Sequence, residues 1–184
     1  MTNVLVESSS FPDFGRPDAG LVLISEWRTP DAERRQAVMD GVIDAWAEAR
    51  LPESFLGRYC LAGTDGLSVL NYAQWTDAAA QHAFAADPAN HRAIADSVQA
   101  LISVGPPGRY RYERSVLLRE GPIRTLGTTA SDAGIAQYVH RGEDGKGVRV
   151  LTAHDDDGEG RGDEAGDGTG VRFRPYRGIV RPRG

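Results

Sequence analysis

The apolar pattern of the chain is densest over residues 67–75, LSVLNYAQW, where polar side chains interrupt a hydrophobic run. Aliphatic and aromatic residues at this density predict a buried strand. Because side chains alternate between the two faces of a strand, Asn71 shares one face with Trp75, whereas Tyr72 lies on the other. An amide and an indole N–H on an apolar wall need hydrogen-bond partners. This face is therefore either satisfied core or the lining of a pocket.

Three further strands and two helices are predicted around this stretch. Runs rich in β-branched and aromatic residues predict strands at 21–27, 55–62 and 109–118. Apolar residues at intervals of three and four predict an amphipathic helix that begins at Thr29 and ends before Pro52. An alanine-rich helix follows Thr76, and a further helical segment covers about 88–103.

The order strand, helix, strand, strand, helix, strand predicts an α+β fold of the ferredoxin-like, split βαβ type. Its antiparallel sheet has four strands, with the helices on one face. The strand at 67–75 is apolar on both faces, since Leu70 and Tyr72 oppose Val69 and Ala73. The face without helices needs a second layer, and another copy of the same sheet is the simplest source. We therefore expect a homodimer that forms a dimeric α/β barrel.

The segments outside this unit differ from it in composition. Residues 1–18 are polar and contain prolines, which predicts a flexible arm or a strand that needs a partner to order it. The ferredoxin-like domain covers 19–118. Residues 119–184 show short β-like runs without a helical period, so we expect a β-rich C-terminal extension. Within it, the loop at about 155–170 is rich in Gly and Asp, and we expect it to be mobile.

Composition argues against several classes of function. A net charge of −5 at pH 7 argues against nucleic acid as the main partner. No apolar run reaches the ~18–20 residues of a membrane-spanning helix, so we expect no membrane partner. The single cysteine, Cys60, cannot form an internal disulfide and fits a cytoplasmic location. One cysteine and four scattered histidines give no metal-ligating spacing, so no metal site is expected.

Residues 20–117 resemble the antibiotic biosynthesis monooxygenase family of dimeric ferredoxin-like proteins. The residues that carry the resemblance are Asn71-Tyr-Ala-Gln-Trp75-Thr, with Ser25-Glu-Trp-Arg-Thr-Pro30, Ala83-Phe84, Asp87-Pro88 and His91-Arg92 as support. The resemblance implies a cofactor-independent oxygenase that converts an anthrone of an aromatic polyketide to a quinone. It implies molecular oxygen as co-substrate, no cofactor, and a small aromatic polyketide as substrate.

The resemblance also implies a site. Asn71 and Trp75 fall on the positions of the family's strand Asn and Trp, which bind and polarise oxygen functions, and they are the candidate catalytic residues. Some members carry an asparagine where this chain has Ser25, whose hydroxyl still donates one hydrogen bond. The candidate substrate-binding residues are Ser25, His82, Arg92 and Tyr72. Tyr72 ranks last, because alternation places it on the opposite face.

The implied chemistry needs no metal. A deprotonated phenolic anthrone can itself hand an electron to dioxygen, so the protein has to favour the anion, hold the radical pair and exclude water. Neutral donors such as the Asn71 amide and the Trp75 N–H suit a phenolate or peroxide oxygen. The pattern favours an enzyme, and two alternatives stay open. One is a polyketide cyclase of the same fold, and the other is a non-catalytic dimeric binding module.

Overall fold

The computed structural model describes residues 4–88, 90, 106–157 and 170–183. Within these ranges the strands are β1 (Val6–Ser8), β2 (Leu21–Arg28), β3 (Phe55–Gly63), β4 (Ser68–Trp75), β5 (Gly108–Leu117), β6 (Thr125–Gly127), β7 (Ala136–Gly142), β8 (Val148–His154) and β9 (Phe173–Val180). The helices there are α1 (Ala32–Glu48) and α2 (Ala78–Ala86). Neither is long and apolar enough to cross a membrane. The helical segment predicted over about 88–103 lies largely outside the described residues.

The predicted four-stranded unit is present. β3, β4, β2 and β5 lie side by side in that order with antiparallel pairing, which is the split βαβ arrangement. The helices begin slightly later than predicted. Asp31, not Thr29, caps α1 by accepting a hydrogen bond from the backbone N–H of Arg34 at 2.7 Å, and Asp77, not Thr76, caps α2. A carboxylate accepts from these free N–H groups at least as well as a hydroxyl.

The sheet continues beyond these four strands and closes on itself. β7 pairs with β5, β8 with β7, β6 with β8, and β9 joins β6 to β3. All described strands except β1 therefore form a closed ring. β1, from the segment predicted to be either a flexible arm or a strand in need of a partner, pairs with β9. Strands β7, β8 and β9 come from β-like runs that the sequence predicted, whereas β6 was not predicted.

This closure corrects the prediction about the face of β4 that the helices leave uncovered. Leu70 and Tyr72 pack inside the ring against residues of the extension, including Leu126 and Phe173, and not against a second copy of the chain. The barrel thus forms within one chain, and residues 119–184 supply the layer that a partner was expected to supply. The reason for expecting a homodimer is removed, and the homodimer itself stays an untested prediction.

β4 separates two hydrophobic clusters. On the helix-facing side, Val69, Ala73 and Trp75 pack with residues of α1 and α2 such as Val42 and Phe84. The barrel interior holds the side chains that point into the ring. All of β4 is buried, as expected for a strand covered on both faces. The alternation argument is confirmed, because Trp75 lies on the helix-facing side and Tyr72 in the barrel interior.

Candidate functional site

A polar pair lies in the sheet on the helix-facing side. Ser25 of β2 is directly opposite Asn71 of β4, and Asn71 Nδ2 donates a hydrogen bond to Ser25 Oγ at 3.2 Å. Asn71 is 3% exposed, and its Oδ1 has no hydrogen-bond partner in the part of the chain that the structure describes. Leaving a buried acceptor unpaired costs about 1–3 kcal/mol. A ligand O–H at this point would remove that cost.

Ser25 lies beside a cleft. β2 pairs with β5 only over Val22–Ile24, so the two strands separate where Ser25 begins. A cavity of about 280 Å³ lies there, and its lining residues are Ile24, Ser25, Glu26, Pro106, Tyr110 and Arg149. Small-ligand pockets usually start at about 300 Å³, so this volume is near the lower end of that range. The half-buried Ser25, whose Oγ accepts the hydrogen bond from the enclosed Asn71 amide, thus borders an opening that it shares with the barrel-interior residues Ile24 and Tyr110.

Trp75 ends β4 in an aromatic cluster. Its ring centroid lies 5.2 Å from that of Phe84, 5.3 Å from Phe55 and 6.3 Å from Trp46. The side chain is completely buried, and its Nε1–H has no hydrogen-bond partner among the described residues. The surrounding rings hold the indole in one orientation, so its N–H is a fixed donor.

A buried arginine that the sequence analysis did not identify lies between these two residues. Arg58 of β3 is directly opposite Ala73 of β4, and Ala73 is the residue between Asn71 and Trp75 on the helix-facing side. Only 7% of Arg58 is exposed. The small side chain of Ala73 leaves the space above β4 to the guanidinium and its neighbours.

Two tryptophan rings contact the Arg58 guanidinium. Its Cζ lies 4.4 Å from the ring centroid of Trp46 and 5.8 Å from that of Trp27, within the range of cation–π attraction. Its Nε has no hydrogen-bond partner in the described ranges. Burial lowers the pKa of Arg58 to about 10, so the guanidinium stays protonated at neutral pH.

The unpaired polar atoms that the tryptophans, Arg58 and Asn71 contribute to the helix-facing side are mostly donors. The Nε1–H groups of Trp27, Trp46 and Trp75 and the Nε–H of Arg58 are buried without a partner in the described part of the chain. The unpaired acceptor among them is Asn71 Oδ1. A ligand that matches this set offers several acceptor oxygens and one O–H, as a hydroxyaryl ketone does.

Of the other predicted site residues, His82 and Tyr72 are described by the structure, and neither lies in the surroundings of Asn71. His82 is exposed on α2. Arg92 and its neighbour His91 lie outside the described residues. Tyr72 faces the barrel interior, where alternation placed it. The described residues contain no group of three or more His, Cys, Asp or Glu side chains that could hold a metal ion.

The barrel interior holds a second polar pair, which the sequence analysis also missed. The Tyr72 hydroxyl and His140 Nε2 are 3.1 Å apart, and both residues are completely buried. Burial lowers the pKa of His140 to about 4 and raises that of Tyr72 well above its ordinary value. Both groups are therefore neutral at pH 7. Their hydrogen bond joins β4 to β7 across the barrel, which is a structural role.

No model of a protein family matches the chain, and no curated protein matches it. Among solved structures, it is similar to an anthrone oxidase-like protein, with 12% identity, 98% of each chain covered and a TM-score of 0.62. It is also similar to the monooxygenase ActVA-Orf6 of Streptomyces coelicolor, solved with nanaomycin D. That match has 26% identity and a TM-score of 0.43, and it covers 53% of this chain and 89% of the other. The likeness to the first protein shows a shared fold that includes the extension, and the α+β fold predicted from the sequence is confirmed.

Proposed function

We propose that this protein is a cofactor-independent monooxygenase that oxidises an anthrone-type intermediate of an aromatic polyketide to a quinone in antibiotic biosynthesis. The observation that carries the proposal is the Ser25–Asn71 pair, a buried polar site in an apolar sheet. Within the described part of the chain, Asn71 Oδ1 has no hydrogen-bond partner. The fixed donor of Trp75 on the same side and the fold shared with an anthrone oxidase-like protein support it.

The reaction replaces two hydrogens on the central carbon of the anthrone by one oxygen atom. The deprotonated substrate gives one electron to dioxygen, and the two radicals combine into a peroxide on that carbon. Loss of water from the peroxide leaves the carbonyl of the quinone, so one oxygen atom is retained and the other leaves as water. Asn71 and Trp75 would donate hydrogen bonds to the oxygens that carry charge, and the apolar wall would exclude solvent.

The direct test is to mix the purified protein with emodin anthrone under air and to follow quinone absorbance and oxygen uptake together. We expect quinone formation well above the rate in buffer, with one molecule of oxygen consumed per quinone. The double variant Asn71→Ala, Trp75→Phe should lose at least about 100-fold in rate, as enzymes do when donors to a developing oxyanion are removed.

Two results would contradict the proposal: no acceleration over buffer, or an undiminished rate in the double variant. Ring closure of a polyketide substrate without oxygen uptake would favour the cyclase alternative. Tight binding of the anthrone without turnover would favour the binding module.

A further inference from the structure

We propose that Arg58 is the counter-ion for a negatively charged oxygen of the ligand, so that the site takes its phenolic substrate as the phenolate. The aromatic, phenolic nature of the ligand rests on the proposed function. The charge of the ligand rests on the surroundings of Arg58.

Arg58 has no acidic partner in the part of the chain that the structure describes. The ion pairs found there involve other arginines. Asp40 and Asp44 of α1, the acids that face β9, both contact Arg177. The neighbouring thiol of Cys60 is neutral at pH 7, because burial raises its pKa to about 11. The described surroundings of Arg58 therefore leave its positive charge uncompensated.

The position of Arg58 places this charge on the same side of the sheet as the Asn71 amide. Trp27 stands on β2 opposite Val69, and Arg58 stands on β3 opposite Ala73. These two strands flank β4, so the contact of the guanidinium with the Trp27 ring bridges β4 across the position of Asn71. A phenolate bound there would accept hydrogen bonds from Arg58, and a neighbouring O–H of the same ligand would donate to Asn71 Oδ1.

The energetics agree with a ligand site rather than a structural one. A buried cation without a partner is strongly unfavourable, and cation–π contacts with Trp27 and Trp46 offset only part of that free energy. Binding of the substrate as an anion removes the rest of this unfavourable free energy. In this step the phenolic O–H bond breaks, the proton passes to water, and the oxygen keeps the electron pair that accepts from the guanidinium.

Emodin, a hydroxyanthraquinone that the oxygenase reaction does not consume, is the probe. Its phenolate absorbs at longer wavelength than its phenol, so a pH titration of the visible spectrum reports the ionisation of the bound molecule. We expect the midpoint for emodin bound to the wild-type protein to lie at least about one pH unit below that for free emodin, a tenfold preference for the anion. The trimethyl ether of emodin, which cannot ionise, should bind at least about tenfold more weakly at pH 8.

Three variants locate the effect. Arg58→Met should return the midpoint of bound emodin to that of the free compound, whereas Arg58→Lys, which keeps the charge, should retain most of the shift. Arg172→Met is the matched control, because Arg172 is also buried and its Nη1 has no hydrogen-bond partner among the described residues, but it lies beside Gly127 of β6. We expect it to behave as wild type.

The inference is overturned if wild-type protein binds emodin without shifting its ionisation, if the trimethyl ether binds equally well, or if no emodin binds. The two wild-type measurements keep the test valid even if Arg58→Met does not fold. Emodin bound as the anion by a protein that does not oxidise emodin anthrone would support this inference and contradict the oxygenase. If the protein oxidises emodin anthrone, Arg58→Met keeps the wild-type rate, and bound emodin ionises as it does when free, the oxygenase is supported and this inference is contradicted.

Discussion

The two faces of β4 bury polar groups in different ways. In the barrel interior, Tyr72 and His140 bond to each other, and the Gln74 side chain donates to the backbone carbonyl of Asp13 at 2.8 Å. On the helix-facing side, the Asn71 oxygen and the Arg58 Nε remain unpaired within the described ranges. Single atoms of Gln74 and His140 are unpaired as well, but the interior groups are neutral, whereas Arg58 is charged.

This difference indicates a structural role for one face of β4 and a ligand-binding role for the other. Neutral groups that bond across the barrel hold β4 to β7 and to the N-terminal segment, and their remaining unpaired atoms carry no charge. On the helix-facing side, the described chain leaves the Arg58 cation and several N–H donors without partners. Burying them in this way costs free energy of folding, and a bound ligand can remove that cost. The same strand therefore carries a structural face and a candidate ligand face.

The largest expected effect on the structural face is a loss of stability at acidic pH. The pKa of His140 is lowered from 6.5 to about 4 by burial, so the unfolded chain binds a proton at this residue before the folded one does. Its contribution to stability is present above about pH 6.5 and is lost as the pH falls towards 4. At about 1.4 kcal/mol per pH unit, the loss is roughly 3 kcal/mol.

Chemical denaturation of the wild type and of His140→Phe at several pH values measures this contribution. We expect the free energy of unfolding of the variant to vary less between pH 6.5 and 4 than that of the wild type. The same slope in both proteins would mean that His140 is not held neutral in the interior.

The two buried amides of β4 give the next largest contrast. Asn71→Ala should lower kcat/KM for emodin anthrone about 100-fold, because it removes a donor on the ligand face. Gln74→Ala removes an amide of similar burial from the opposite face, and it should change kcat/KM of the folded protein less than about twofold. Both variants should lose stability by about 1–3 kcal/mol. Equal losses of kcat/KM would remove the distinction between the faces.

Two buried arginines test the cost of the unpaired charge. Arg58→Met should raise the free energy of unfolding by about 2 kcal/mol, because it replaces an unpaired cation by an apolar side chain of similar volume. Arg16 is also buried, but it contacts Asp18 and the backbone carbonyl of Arg181. Arg16→Met should therefore lose stability. Denaturant titrations measure the free energy of unfolding of both variants. A lower value in Arg58→Met than in the wild type would indicate that the contacts of Arg58 with the tryptophans outweigh the unpaired charge.

The smallest effect concerns the aromatic cluster. Trp75→Phe keeps a ring in the cluster and removes the N–H, so we expect the rate of quinone formation to fall about tenfold. Phe84→Leu trims the same cluster without removing a polar atom. Both should lose about 1 kcal/mol of stability, but only the first should lose activity. A similar loss of rate in Phe84→Leu would assign Trp75 to packing alone.

The four-stranded unit and the two faces of β4 could be predicted because they depend on local patterns. Helical and strand periods and alternation along 67–75 are properties of neighbouring residues, and they placed Asn71 and Trp75 on one face. The closure of the sheet could not be predicted, because a β-like run such as 148–152 does not specify the strand with which it pairs. β6 is only three residues long, which leaves no periodic signal.

The Tyr72–His140 pair and Arg58 could not be identified from the sequence, for two different physical reasons. Tyr72 and His140 are separated by 68 positions, and only the closed ring brings them together. Arg58 follows a register shift between Phe55 and Gly57, so its face depends on the bulge and on the hairpin register with β4. A charged residue within the apolar run FLGRYCLA was the available signal.

One measurement tests the central claim, that a ligand binds on the helix-facing side of β4 and not in the barrel interior. The chain has three tryptophans, and all of them lie on the helix-facing side. Their indole N–H signals in a ¹H–¹⁵N NMR spectrum, assigned by Trp→Phe variants, can be followed as emodin is added. We expect the Trp27 and Trp75 signals to shift and the ring signals of His140 to stay in place. Movement of the His140 signals with unchanged indoles would contradict the claim.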